Sequence, residues 1–226
     1  MTPVLRRIGE RQSPVVIVDD FTEAVGDVVA MAAAMAPFPP SAGNYYPGLR
    51  QPITSGDIAF PYVERMLEAA APFIGGGFDV DSFDLLEASF SMVTSPPDAL
   101  SPAQCAPHFD STDQDHLAVL HYLCDTPGTA FYRQRETAIE IVDQRNVALF
   151  VSTATRAAAG GSGYICGSTP DFEQIGMVEG LRNRLVIYRG AMLHSGIIPQ
   201  GMNFSTDPRA GRLTANIFVQ GRRGST

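Results

Sequence analysis

From Phe83 onward, apolar residues come in short runs broken by Pro, Gly, Asp and Ser. Runs this short do not carry the long 3.6-residue spacing of a helix, but they suit strands joined by turns. Candidate strands fall at 83–93, 117–123, 129–132, 174–178, 184–188, 192–195 and 212–220, with a mixed, helix-compatible insertion near 138–156 and a glycine-rich loop at 160–163. Many short strands without intervening helices argue for a sandwich or jelly roll and against a βαβ sheet.

The first eighty residues read differently. Residues 14–21 (PVVIVDDF) suit a short buried strand. Thr22 is placed to cap a helix running to about Ala36, with Glu23 and Asp27 in its early turns. A second, amphipathic helix is predicted over 61–74 (Val63, Met66, Leu67, Ala70, Phe73), with Gly75–Gly77 stopping it. Between them lies a Pro/Gly-rich stretch, 38–52, carrying Tyr45, Tyr46 and Arg50. This reads better as a packed surface loop than as an arm reaching a binding site. The 226 residues are expected to form one domain, with 1–80 packed on a β-rich core over 81–226.

A formal net charge of -8 argues against nucleic acid or an anionic membrane as partner. The alanine-rich segment 28–36 is too short to cross a bilayer, and no cationic, then apolar leader opens the chain. The three cysteines, Cys105, Cys124 and Cys166, fit neither a disulfide framework nor a CxxC metal motif. Free thiols in a reducing cytoplasm are the expectation.

His108-Phe109-Asp110 follows a loop rich in Pro and Ser. On an extended segment, residues i and i+2 share a face, so His108 and Asp110 can converge on one ion while Phe109 turns into packing. The pair alone fits a capping or surface role equally well. His194 lies far downstream, on a strand that follows a break at Arg189-Gly190, and by itself suits a hydrogen-bonded core histidine. Two histidines and one carboxylate are the facial set that holds non-haem Fe(II) and leaves positions open. His116 and His121 have opposite parity on one strand and cannot both reach one ion.

Arg212 and Thr214 share a face of the last long strand. Arg212 offers the fork that matches a carboxylate, Thr214 adds a hydroxyl, and a buried arginine needs an anion. A solvated Arg212 at the strand entrance, with Arg209 as the anion ligand, is the alternative. Tyr122, opposite in parity to His121, has a hydroxyl that could reach the same anion.

The order His108-x-Asp110, then His121-Tyr122-Leu123-Cys124, then Gly128-Thr129-Ala130-Phe131, then His194, then Arg212-Leu213-Thr214 resembles the Fe(II)/2-oxoglutarate-dependent dioxygenases. The prolyl-hydroxylase-like branch looks most similar. That branch usually has Asn where Cys124 stands, and its cosubstrate cation is often placed further before the Thr/Ser, which keeps Arg209 open beside Arg212. The resemblance implies a mainly β protein with N-terminal helices on a double-stranded β-helix (jelly roll). It implies Fe(II) bound by His108, Asp110 and His194, and 2-oxoglutarate held by Arg212 with Thr214 and Tyr122. It further implies use of O2 to hydroxylate a small molecule or a peptidyl side chain, Asp110 arguing against halogenation.

By alternation, Phe131 and Arg133 share the side of Thr129, and Asn216 shares that of Arg212 and Thr214, so these three are candidates for substrate contact. For Arg133 the alternative is a rim salt bridge with Glu136 or Glu140. Arg189 is expected to be structural, and the loops 156–166 and 45–46 are candidate lids. Two other functions compete: a jelly-roll binding or sensing module without turnover, and a cupin-like metalloenzyme that uses no 2-oxo acid. Substrate identity and oligomeric state lie beyond the sequence.

Overall fold

The computed structural model describes residues 2–42, 45–158 and 163–224. In chain order the elements are β1 (Pro3–Ile8), β2 (Ser13–Val18), α1 (Val25–Ala34), β3 (Gly48–Pro52), α2 (Phe60–Phe78), β4 (Ser82–Val93), β5 (His116–Tyr122), β6 (Thr126–Gln134), α3 (Val147–Ala158), β7 (Phe172–Gly180), β8 (Leu185–Arg189), β9 (His194–Gly196) and β10 (Arg212–Arg222). Seven strands form one sheet in the order β1-β2-β8-β5-β10-β4-β3, and three form a second, β7-β6-β9. Every pairing is antiparallel.

Strand parity sorts the apolar residues into layers. On the large sheet, Leu117, Val119, Leu185, Ile187, Leu213, Ala215, Ile217 and Val219 face α1 and α2. The alternate residues Val15, Ile17, Ala118, Leu120, Tyr122, Val186 and Tyr188 face Phe131 and Val178 of the small sheet. The outer face of the small sheet (Ala130, Tyr132, Leu193) packs with Phe150 of α3. The protein is therefore mainly β: two antiparallel sheets face each other, with helices covering the outer face of each.

Several local expectations are corrected. Helix α2 runs through Gly75–Gly77 to Phe78 and ends at Asp79, whose φ of 57° is left-handed. A Cβ on Gly77 would lie 2.6 Å from Val16 Cγ2, so that glycine lets helix and sheet approach instead of stopping the helix. Helix α1 starts later than expected: its N-cap is Ala24, without a side-chain cap, and Thr22 Oγ1 instead accepts the Ala24 amide at 3.2 Å, two residues before the helix's cap position. Strand β1 was not foreseen, because as an edge strand it is exposed on both faces and shows no buried alternation. Part of the predicted loop 160–163, residues 160–162, lies outside the described residues. Among the described residues no helix is long and apolar enough to cross a membrane.

Candidate metal centre

His108 and His194 form an isolated antiparallel bridge beside β9 and exchange both backbone hydrogen bonds, at 2.9 and 2.8 Å. A directly opposed cross-strand pair puts two side chains on one face, and the two imidazole centroids stand 4.3 Å apart. The Asp110 amide then donates to the Gly190 carbonyl at 2.7 Å, so the segment continues extended and Asp110 returns to the same face. Phe109 turns the other way and packs edge-on against Phe150 of α3.

One donor atom from each of His108, Asp110 and His194 lies within 4.8 Å of the others. His194 Nε2 is 3.5 Å from Asp110 Oδ2, and His108 Nε2 is 3.9 Å from Asp110 Oδ1. First-row metals take N and O donors at about 2.0–2.2 Å, which sets facial donors roughly 3 Å apart; side-chain rotations closing the two His–Asp gaps by under about 1 Å, and the widest separation by under about 2 Å, bring the three donors to that spacing. His194 Nδ1 lies 2.8 Å from the Met192 carbonyl. A carbonyl only accepts, so Nδ1 carries the proton and Nε2 presents its lone pair to the site. The His194 ring is 4 % exposed and braced edge-on by Tyr188. His108 keeps 47 % of its side chain open at the mouth of the site, with protein around the rest of the ring. Burial, then the adjacent His194, pull its pKa down to about 4, with Asp110 opposing. The arrangement is a facial set of two imidazoles and one carboxylate with an open side, which suits a divalent transition metal.

Next to it runs a polar wall on the inner face of β3, β4 and β10. Thr214 is opposite Ser91 and Asn216 opposite Ser89, and Ser89, Ser91 and Thr214 are essentially fully buried. Thr214 Oγ1 donates to Asn216 Oδ1 at 2.8 Å, so Asn216 shares the face expected of it. Arg212 is 8 % exposed, and its Nε donates to Thr126 Oγ1 at 3.0 Å. A Cβ on Gly196 would stand 3.2 Å from Arg212 Nη2, so the guanidinium fills the space that this glycine, two residues past His194, leaves open. No carboxylate pairs with Arg212 among the described residues, whereas Arg209 is exposed, on a turn. The Tyr122 hydroxyl lies 2.7 Å from Thr129 Oγ1, near Arg212; burial raises its pKa, so it stays a neutral donor.

The comparisons with known proteins follow this architecture. A family model described as "Family of unknown function (DUF6445)" matches residues 1–219. The chain belongs to that family. No curated protein matches it. Among solved structures, HygX from Streptomyces hygroscopicus with nickel and 2-oxoglutarate bound superposes with TM-score 0.54 at 11 % identity, over 92 % of this chain and 83 % of HygX. HygX with nickel, 2-oxoglutarate and hygromycin B bound gives 0.54 at 10 % identity over the same shares. SnoN, a non-haem α-ketoglutarate-dependent epimerase from nogalamycin biosynthesis, gives 0.54 at 16 % identity, over 95 % of this chain and 82 % of SnoN. At these identities the likeness is one of fold.

The remaining candidates of this DUF6445 member fall elsewhere. Arg133 is held by Glu140 at 2.6 Å, Glu10 at 3.0 Å and Glu173 at 3.5 Å, so the rim ion pair is the arrangement realised. Phe131 is fully buried between the sheets, edge-on to Tyr188. Arg189 donates to the Gln114 carbonyl and pairs with Asp115 at 3.5 Å, a structural position. His116 faces the inner side and stacks near Phe218.

His121 points to the helices, where Nδ1 meets the Tyr62 hydroxyl at 2.8 Å and Nε2 meets Asn183 Oδ1 at 3.2 Å. Burial lowers its pKa to about 4, with the Asn183 contact opposing. The unfolded chain then binds the proton more readily below pH 6.5, so His121 contributes stability that is present above that pH and is lost as the pH falls toward 4. Urea unfolding from pH 7 to 5 should show a stability loss that is absent from His121→Gln; equal slopes would remove this account.

The sequence reading missed two residues. Tyr46 and Arg50, taken for a packed surface loop, join the inner wall: Arg50 pairs with Ser91 across β3–β4, and its guanidinium lies 4.9 Å from the Tyr46 ring centroid. The alternation Glu87-Ala88-Ser89-Phe90-Ser91-Met92, apolar toward the helices and polar inward, was the available signal for a polar wall.

Proposed function

We propose that this chain is a non-haem Fe(II)/2-oxoglutarate-dependent oxygenase on a double-stranded β-helix, a single domain spanning residues 1–226. In this reading His108, Asp110 and His194 hold the metal, and Arg212 takes the distal carboxylate of 2-oxoglutarate with Thr214 and Tyr122 beside it. One observation carries it: a facial His/Asp/His donor set and a buried arginine with no carboxylate partner among the described residues share one inter-sheet space. The likeness in fold to HygX and SnoN, solved with 2-oxoglutarate bound, supports it. The motif order places it nearest the prolyl-hydroxylase-like branch, Cys124 apart.

Bound iron supplies the activation of O2, which no side chain here can provide. The protein's own groups bind and orient. His194 Nδ1–H, fixed on the Met192 carbonyl, holds the imidazole in its donor tautomer. Arg212, buried and braced by Thr126, offers a preorganised charge to one end of the cosubstrate. Tyr122 and Thr214 provide neutral hydroxyls, and the Tyr188 and Phe131 rings keep water from the inner side.

The reaction we favour is hydroxylation of a small molecule or a peptidyl side chain, with the carboxylate of Asp110 present and not replaced by a halide site. Epimerisation is the rival, favoured by the likeness to SnoN; a product that gains one oxygen atom excludes it. A net charge of -8 and three free cysteines suit a cytoplasmic protein that acts on neither nucleic acid nor membrane. Anaerobic titration of the Fe(II)-loaded protein with 2-oxoglutarate should produce the visible charge-transfer band of the chelate. A protein that binds Fe(II) and gives no band at saturating 2-oxoglutarate is not this enzyme, and a metal-binding module without turnover takes its place.

A further inference from the structure

Arg50 is the second cation on the inner wall, and the proposed chemistry leaves it without a task. Its guanidinium is sandwiched by two rings, 4.9 Å from the Tyr46 centroid and 5.9 Å from the Phe218 centroid. Stacking of this kind fixes the plane of the fork and leaves its edge to donate. Among the described residues Arg50 Nε is buried with no hydrogen-bond partner, and the Tyr46 hydroxyl is buried with the Ser91 hydroxyl beside it. A buried donor left unpaired is unfavourable, so an unpaired guanidinium N–H next to a tyrosine hydroxyl marks a place where an acceptor is missing.

The acid that pairs with Arg50 is a poor substitute. Glu87 Oε1 stands 3.5 Å from Nη1 and its side chain is 52 % exposed, a loose surface pair that contributes little. Arg50 addresses the site separately from Arg212. Its head lies against Phe218, six residues along β10 from Arg212. It is also close enough to His108 to disfavour protonation of that ring. Tyr46 lies between the two arginines, near Ser91, and its burial keeps the hydroxyl protonated as a donor.

We propose that Arg50 and Tyr46 form an oxyanion subsite beside the His108/Asp110/His194 cluster, and that the molecule oxidised by this chain carries a carboxylate which docks there. This rests on the reading of the cluster as an Fe(II)/2-oxoglutarate centre. A charge-assisted fork on a carboxylate, with the Tyr46 hydroxyl as third donor, gives the unpaired Arg50 N–H its acceptor. The same chemistry could be offered by the second carboxylate of 2-oxoglutarate, and the test separates the two.

Zn(II)-loaded protein saturated with 2-oxoglutarate is titrated by calorimetry with benzoate, hexanoate and N-acetylglycine, each beside its primary amide. At least one acid is expected to bind tenfold or more tighter than its amide. Arg50→Gln should erase that preference and leave 2-oxoglutarate affinity unchanged, while Tyr46→Phe, which removes one oxygen, should reduce it severalfold. Thermal unfolding checks that both variants fold. If the acids compete with 2-oxoglutarate, or Arg50→Gln weakens 2-oxoglutarate instead, the oxyanion is the cosubstrate's and the substrate assignment is overturned. Absence of any acid preference, or a preference that survives Arg50→Gln, overturns it as well. If Arg50-dependent acid binding persists in a protein that does not bind 2-oxoglutarate, the subsite stands and the oxygenase reading falls.

Discussion

Replacing His194 with alanine should lower Fe(II) affinity by at least about a hundredfold and remove 2-oxoglutarate turnover, since even mutations of groups that merely orient ligands cost 10–100-fold. The imidazole is 4 % exposed, and its Nε2 is the nitrogen left free once Nδ1–H is bound to the Met192 carbonyl. Alanine removes one of the three donors of the cluster; His121 points into the helix layer, and His116, packed beside Phe218 and Gly190, is not one of the three. The cost to the fold is separate and smaller. One hydrogen bond is lost, about 1 kcal/mol net, plus a cavity beside Tyr188. Asp110→Ala separates the two effects, because the ion pairs of the Asp110 side chain among the described residues are those with the two cluster histidines, and it is 17 % exposed. It should lose metal as completely while unfolding close to the wild-type temperature. Anaerobic calorimetry with Fe(II), paired with thermal unfolding, reads both quantities. Two well-folded variants with wild-type metal affinity would falsify the centre.

How much of this was legible depended on whether the signal was local. Parity along one strand is local, and it worked: Leu213, Ala215 and Ile217 against Arg212, Thr214 and Asn216 on β10, and His121 against Tyr122 on β5. His108-x-Asp110 was also local, and Phe109 took the outward position that alternation requires. The partnership of His108 with His194 was legible only through the order of motifs, because it depends on a cross-strand bridge between distant segments. Arg50 failed for the same physical reason. Its place on the inner wall is set by pairing with Ser91, and nothing within 38–52 announces a strand of five residues flanked by prolines. Gly75–Gly77 misled because a glycine that ends a helix and one that admits a neighbouring sheet look alike until Val16 is in place. Arg133 shows the converse: its side chain was free to suit a substrate until Glu10, Glu140 and Glu173 came together around it.

Arg212→Met should move affinity and stability in opposite directions. For function, truncating one partner of a buried charge pair costs about 2–5 kcal/mol, so 2-oxoglutarate should bind roughly 30- to 5,000-fold more weakly. For the ligand-free fold the sign reverses. Arg212 is 8 % exposed and, among the described residues, has the Thr126 hydroxyl but no carboxylate to offset its desolvation. A buried charge replaced by an apolar side chain of similar length often raises stability by about 1–4 kcal/mol. Unfolding in urea without 2-oxoglutarate should therefore have a higher midpoint in Arg212→Met than in the wild type. Adding the cosubstrate to the metal-loaded proteins should then reverse the order, because only the wild type gains binding stabilisation, about 2.7 kcal/mol at a hundred times Kd. Arg209→Met is the control, since that side chain is exposed on a turn and should change neither quantity. A 2-oxoglutarate response that survives Arg212→Met and disappears in Arg209→Met would move the carboxylate clamp to Arg209. A variant less stable than wild type without ligand would mean that Arg212 is already compensated in the empty site, and that the fold does not hold its charge in reserve for a cosubstrate.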